Sequence, residues 1–128
     1  MDISVRKTGP FRVEDRSWLG SAHGTTATRT VTLDTSAFTQ ATHFPNGYIA
    51  SGTLVSRIDG SGLWGPYVAG SASTGHLFNS TPVTANGADV GAPVLEHGVV
   101  FVPNLPANSG LSPAARTELS DRGLIYRD

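Results

Sequence analysis

A short glycine-rich segment has the residue spacing of a nucleotide-binding motif. Gly60, Gly62 and Gly65 match G-x-G-x-x-G, in which glycines let the backbone approach a dinucleotide pyrophosphate. That chemistry also needs a helix that begins at the glycines, so that its N-terminus holds the phosphate. Pro66 and Tyr67 follow here, and no helical pattern comes after them. We therefore predict a turn between two strands and no cofactor.

The four histidines are the next candidates, because imidazole is a common metal ligand and general base. None is paired at H-x-H or i, i+4 spacing, and the chain contains no cysteine, which removes most structural zinc designs. Glu96 and His97 are adjacent, but neighbours on a strand point to opposite faces. We predict no metal site and expect the histidines to be solvated or at sheet edges. They are His23, His43, His76 and His97.

Serine is abundant, so a Ser–His–Asp set can always be composed on paper. No G-x-S-x-G elbow is present, and nothing in the sequence marks one serine as activated. Asn79, Ser80 and Thr81 form a glycosylation acceptor, which means little without a secretion signal. The sequence predicts that the protein is not an enzyme.

Three aromatic residues could form a platform for a sugar or a peptide: Trp18, Trp64 and Tyr67. The alternative is that Trp64 and Tyr67 cover one end of a small β core, and a third option is contact with another subunit. We favour the core position and keep Trp64 and Tyr67 as possible subunit contacts.

The composition indicates one domain with a modest core. The 128 residues have room for an ordinary domain and an arm, with 38% hydrophobic and 15% charged residues, so burial against other subunits would add stability. The formal net charge of −1 gives no electrostatic reason to bind nucleic acid or an anionic membrane. No apolar run suits a transmembrane helix or a secretion signal. The lack of cysteine suits a cytoplasmic product, or a particle that must survive both reducing and oxidising surroundings.

Residues 1–29 are predicted to be an extended N-terminal arm, and residues 30–128 a β-rich domain. The arm has no helical period, yet it contains Val5, Phe11 and Trp18, which is too much hydrophobic surface for a solvated tail. It is expected either to be disordered in isolation or to order on a partner surface. Its candidate contact residues are Arg6, Lys7, Phe11, Arg12, Val13, Arg16 and Trp18.

The domain has the pattern of short strands joined by glycine-rich turns. Alternating or β-prone residues predict strands at 29–34, within 47–67, and at 76–78, 81–83, 92–102 and 124–126. The segment 92–102 is the strongest of them, with Gly98 as a bulge. Residues 35–46 have no sustained pattern, and Phe38 and Phe44 are expected to pack down from this loop as anchors.

The tail carries the one convincing helix. Ser112 suits the N-cap, Pro113 suits the first helical position, and Gly123 can end the helix in a left-handed cap. Glu118 and Arg122 form a favourable i, i+4 pair. A narrow apolar stripe should lie on the sheet, formed by Leu111, Ala115 and Leu119. The predicted fold is mainly β, a barrel-like body with one short C-terminal helix.

The order of these features resembles the head decoration proteins of tailed bacteriophages, also called capsid cement or stabilising proteins, of the lambda head protein D kind. The resemblance covers roughly residues 29–127. Its motifs are TVTLD (30–34), GYIASGTL (47–54), GPY (65–67), HLF (76–78), EHGVV (96–100), NLP (104–106) and LIY (124–126). Each motif is common alone, and the ordered set carries the likeness.

That resemblance implies a body of the β-tulip kind, assembled as a homotrimer on the outer surface of the capsid. It implies binding to the major capsid protein at three-fold and quasi-three-fold positions, where the trimer stabilises the expanded head. The arm residues would contact the capsid, and deletion of residues 1–28 is expected to leave a folded body that no longer attaches. The alternatives are another virion component, such as a tail or fibre subunit, and a carbohydrate- or peptide-binding β module.

Overall fold

The computed structural model describes residues 15–21, 28–71, 73–85 and 87–128. Strands and loops dominate this part of the chain, and they form a closed five-stranded barrel with two small two-stranded sheets beside it. The prediction of a mainly β, barrel-like body with a short C-terminal helix is confirmed. Five predicted arm contacts lie outside the described residues: Arg6, Lys7, Phe11, Arg12 and Val13.

The strands of the described part are β1 (Arg29–Leu33), β2 (Tyr48–Ile49), β3 (Leu54–Arg57), β4 (Trp64–Pro66), β5 (Thr74–Leu77), β6 (Thr81–Pro82), β7 (Val90–Leu95), β8 (Gly98–Phe101) and β9 (Leu124–Arg127). The helices are α1 (Gln40–His43) and α2 (Pro113–Ser120), with 3₁₀ turns at Thr35–Ala37 and Val102–Asn104. The barrel order is β1, β4, β3, β5 and β7, and β7 closes onto β1. The β1–β4 pair is parallel, and the other barrel pairs are antiparallel.

The barrel interior is filled by apolar side chains that alternate along the strands. In β1, Val31 and Leu33 are buried whereas Thr32 is exposed, as a period of two requires. Phe38 and Phe44 are buried in the same cluster, which confirms them as anchors. We call this cluster the barrel core, and its further members are Ile49, Val55, Trp64, Leu77, Val83, Ala92 and Val94.

The prediction of one continuous strand at residues 92–102 is wrong. β7 belongs to the barrel, whereas β8 leaves it and pairs in parallel with β9. The predicted bulge, Gly98, is instead the first residue of β8, with a φ of +149° that glycine adopts more readily than other residues. The run of strand-forming residues continues through this change of partner, so the pattern alone conceals it.

A second hydrophobic cluster joins the barrel to α2, β8 and β9. As predicted, Ser112 caps α2, and its hydroxyl accepts a hydrogen bond from the Ala115 N–H at 3.1 Å, with Pro113 at the start of the helix. Ala115 and Leu119 are buried, which confirms two positions of the apolar stripe. We call this cluster the outer core, and its buried members are Trp18, Leu54, Leu95, Val100, Ala115, Leu119, Leu124 and Tyr126.

Candidate functional site

The first described residues of the chain lie on the body. We call residues 15–21 the root segment. Leu19 forms an antiparallel bridge with Val100 of β8, and the Gly20 N–H donates to the Val99 carbonyl oxygen at 2.8 Å. The root segment therefore extends the β8–β9 sheet by a short backbone pairing, so this part of the predicted arm, residues 1–29, is ordered on the chain's own domain.

Trp18 fastens the root segment to the outer core. Its side chain is fully buried, and its Nε1–H donates to the Ser51 hydroxyl oxygen at 3.0 Å. That hydroxyl in turn donates to the Phe78 carbonyl oxygen at 2.8 Å. The indole ring lies 5.6 Å from the ring of His76. A Cβ at Gly52 would stand 3.1 Å from the indole, so the absence of a side chain there gives Trp18 its room.

Arg16 holds the root segment from outside. Its Nε donates to the Phe78 carbonyl oxygen at 2.9 Å, its Nη2 donates to the Asn79 side chain, and its Cζ lies 4.5 Å from the centre of the Phe78 ring. Arg16 remains exposed, and its contact with a capsid stays a prediction. The same prediction is wrong for Trp18, because a side chain without exposed surface cannot contact a partner. Deletion of residues 1–28 would remove this core residue, so the truncated body is expected to lose stability as well as the arm.

His76 on β5 connects the barrel to the β9 strand. Its Nδ1 lies 2.8 Å from the Gly52 carbonyl oxygen, and its Nε2 lies 2.8 Å from the Tyr126 hydroxyl. A carbonyl can only accept, so Nδ1 carries the proton and Tyr126 donates to Nε2. Burial lowers the pKa of His76 to about 4, although the bond to Gly52 acts in the opposite direction. The expectation of a solvated or edge histidine is wrong for His76, which is neutral at pH 7.

The environment of His76 suits a structural role. Both ring nitrogens are engaged and no part of the ring is exposed, so it cannot exchange a proton directly with a bound ligand. His43 accepts a hydrogen bond from the Thr39 N–H at 2.8 Å, and burial lowers its pKa. Within the described ranges, no three His, Asp or Glu side chains are gathered as metal ligands. His23 lies outside those ranges.

The aromatic platform is not formed. Trp64 is only 2% exposed and belongs to the barrel core, so the favoured core position is confirmed and subunit contact through Trp64 is wrong. Tyr67 packs partly buried against the outer core, together with Trp18. Because the rings are divided between two clusters, they present no common aromatic surface.

The loop after β4, residues 67–71, is fastened to α2. Glu118 accepts from the Tyr67 hydroxyl and, at 3.1 Å, from the Gly70 N–H. The predicted pair of Glu118 with Arg122 is present at 3.2 Å, and Arg122 also donates to a loop carbonyl oxygen at 2.8 Å. Burial, followed by the bond to Glu118, raises the pKa of Tyr67 to about 12. The bond from Tyr67 is the main cause of a lowered Glu118 pKa.

The G-x-G-x-x-G segment connects β3 to β4 and continues into a strand, which confirms the predicted turn. No helix among the described residues is long and apolar enough to cross a membrane. No protein-family model, curated protein or solved structure matches the chain.

Proposed function

We propose that this protein is a structural virion component that binds the outer surface of a bacteriophage capsid. It acts as a homotrimer at three-fold and quasi-three-fold positions, where it contacts the major capsid protein and stabilises the expanded head. It is made in the host cytoplasm and works by binding alone, without a cofactor.

The anchored root segment is the observation that carries the proposal. Trp18 is buried and Arg16 is bonded to the body, so residues 1–14 are attached to a rigid domain at a defined point. Such an attachment delivers the contact residues close to the surface on which the domain sits. A strand of the capsid protein near that point would then encounter residues 1–14 at a high effective concentration.

In the proposed mechanism, the free energy gained by burial and strand pairing offsets the conformational entropy that the arm loses when it becomes ordered. Fixing each arm residue costs about 1–2 kcal/mol. Strand pairing and the burial of Phe11 and Val13 would recover this cost. Three arms on one trimer act together, so a weak single contact becomes a durable attachment. If the binding site spans neighbouring capsid subunits, it exists only in one shell geometry, and binding selects the expanded state.

Co-sedimentation with cognate shells that lack the protein tests the proposal. Compact and expanded shells are mixed with the purified protein, and the bound copies are counted. We expect saturable binding in multiples of three per three-fold position, on expanded shells alone. If the intact protein binds neither form, the capsid proposal is wrong and a tail or fibre subunit becomes the better interpretation.

The truncation that tests the arm removes only residues 1–14. This variant keeps Trp18 and should unfold at the same urea concentration as the intact chain, while its affinity for expanded shells falls by about tenfold or more. A matched full-length variant, Phe11→Ser with Val13→Ser, distinguishes lost side chains from lost length. Undiminished attachment of the truncated protein would contradict the role of the arm.

A further inference from the structure

Three large hydrophobic side chains stand out as exposed in the part of the chain that the structure describes. They are Phe101, Ile125 and Val68, with 37%, 47% and 64% of their surface accessible. Isolated exposed hydrophobics are ordinary on protein surfaces, so their grouping is what matters. Phe101 and Ile125 lie on adjacent strands, whereas Val68 stands alone in the loop after β4.

The strand register places an apolar group on one face of the β8–β9 sheet. Val99 is opposite Ile125, and Phe101 is opposite Arg127. Alternate residues share a face, so these four side chains point the same way while the residues between them face the outer core. We call Val99, Phe101 and Ile125 the outer patch, with Arg127 at its border.

A cleft of about 320 Å³ adjoins the outer patch. It is lined by Ser17, Leu19, Gly20, Val99, Phe101 and Arg127. A Cβ at Gly20 would lie 2.6 Å from the Val99 side chain, so any residue larger than glycine at position 20 would crowd the cleft. The cleft has an apolar wall and ample room for one branched aliphatic side chain.

Val68 lies in the loop after β4, residues 67–71, which we call the Val68 loop, and hydrogen bonds already hold this loop in place. The Val68 N–H donates to the Ser56 hydroxyl oxygen at 3.1 Å. The residues on either side are fastened by Glu118, which accepts from Tyr67 and from the Gly70 N–H. Because the loop is ordered before any contact forms, little conformational entropy remains to be lost when Val68 is buried.

The charges at the two surfaces are complementary. Arg127 borders the cleft, and Asp121 ends α2 next to Arg122, which holds the Val68 loop. Both side chains belong to exposed residues, and neither has an ion-pair partner among the described residues. An exposed cation beside the cleft, and an exposed anion next to the arginine that bonds to the loop of Val68, can therefore face each other between two copies.

We propose that the outer patch and its cleft bind the Val68 loop of a second copy of this chain. Val68 enters the cleft, and Asp121 faces Arg127. The two surfaces differ and lie on different sides of the β8–β9 sheet, because Tyr67 packs on the outer-core side. The contact is thus head-to-tail and generates a ring if its rotation closes. Of this proposal, only the number of copies in the ring, three, rests on the proposed function.

Measurement of mass against concentration, by sedimentation or light scattering, tests the contact without any shell. We expect the intact chain to form a trimer. Val68→Asp and Ile125→Asp should each raise the dissociation constant by about tenfold or more, because each places a charge in the centre of the contact. Ala107→Asp is the matched control: it adds the same charge to another exposed loop and should leave the dissociation constant unchanged.

Engineered cysteines test the geometry, because the natural chain has none. Val68→Cys combined with Val99→Cys should give a covalent trimer on oxidation, whereas either single variant should remain uncrosslinked, since a disulfide needs Cβ atoms about 4 Å apart. Arg127→Glu should weaken association about threefold, and Asp121→Arg in that background should restore it. These substitutions are conservative or exposed, and an unchanged thermal midpoint verifies the fold.

A monomeric mass at all concentrations would overturn this contact, and so would crosslinking by either single cysteine variant, which indicates a symmetric interface. Shell binding is measured separately. A ring that forms but binds no shell overturns the proposed function and supports the contact. Shell attachment as trimers by Val68→Asp at undiminished affinity overturns the contact and supports the function.

Discussion

The barrel core and the outer core share strands, yet they are held together by different means. The barrel core is apolar and follows from strand alternation and a closed ladder of pairings. The outer core depends on polar bonds between segments far apart in sequence: Trp18 with Ser51, and His76 with Tyr126. The alternation that fills the barrel core is therefore a local pattern, although closure of the barrel pairs β1 with β4 and β7, which lie far along the chain. The outer core needs in addition that the two ends of the described chain meet at β3, β5 and β7.

This difference implies different vulnerabilities. A buried hydrogen bond contributes only about 1 kcal/mol when it is made, but a buried polar group left without its partner costs about 1–3 kcal/mol. The outer core contains several such groups around Trp18 and His76, so removal of one partner affects the others. We expect substitutions there to detach the root segment and β9 while the barrel remains folded.

The largest expected effect is that of Trp18→Ala. Removal of the indole leaves a cavity in the outer core and deprives Ser51 of its donor, so the free energy of unfolding should fall by about 3–5 kcal/mol in a urea titration. Leu33→Ala, a barrel variant, is the comparison and should cost about 2–5 kcal/mol. Hydrogen exchange distinguishes them, because Trp18→Ala should expose the amides of β8 and β9 first.

Trp18→Phe refines that comparison. It keeps most of the ring and removes the Nε1–H bond to Ser51, so about 1–2 kcal/mol should be lost. If Trp18→Ala lowered the free energy of unfolding by less than about 0.5 kcal/mol, as at an ordinary surface position, the root segment would not be part of the core.

Acid should weaken the outer core through His76. Its pKa is about 4 when folded, against an ordinary value of 6.5, so the unfolded chain binds the proton first as the pH falls. The contribution of neutral His76 to the free energy of unfolding is fully present above pH 6.5. It is lost progressively as the pH falls toward 4, by about 3 kcal/mol in all. Urea titrations at several pH values measure this loss.

The control for the acid experiment is a second histidine, His43, which is only partly buried. Burial also lowers the pKa of His43, so the titration is best done in a His43→Gln background. The carboxyls of Glu118 and Asp128 have lowered pKa values, and their contributions begin to be lost as the pH falls to the ordinary values of these groups, 4.5 and 3.8. His76→Gln in the same background should therefore remove the dependence above about pH 5. A flat profile with His76 present would show that the ring accepts its proton without cost.

The features that could be predicted from the sequence are those that depend on residues close together along the chain. The alternation of β1, the anchors Phe38 and Phe44, and the Ser112 cap of α2 are local patterns and are confirmed. The partner of β8 is a long-range choice that such patterns do not carry. The role of His76 also escaped them, although a histidine next to Leu77 in an apolar strand was a signal for a buried ring in need of two partners.

The site was predicted least well where the arm meets the body. Trp18 was grouped with the arm because it follows a charged, aperiodic stretch. Its burial depends on Ser51, on the room left at Gly52 and on a bridge to β8, none of which lies near it in sequence. Long-range packing of this kind overrides local composition, so the boundary of the arm could be located only in three dimensions.

The smallest of these effects is expected for Tyr67→Phe, which leaves the barrel and Trp18 untouched. The ring keeps its place against the outer core, and only the hydroxyl bond to Glu118 is lost, so stability should fall by about 1 kcal/mol. Hydrogen exchange at Gly70 should become faster, because Glu118 then holds the loop through Gly70 and Arg122 alone. Unchanged exchange there would mean that these two contacts suffice to order the loop. Faster exchange with an intact barrel would show that the outer core, down to its surface loop, is stabilised one polar contact at a time.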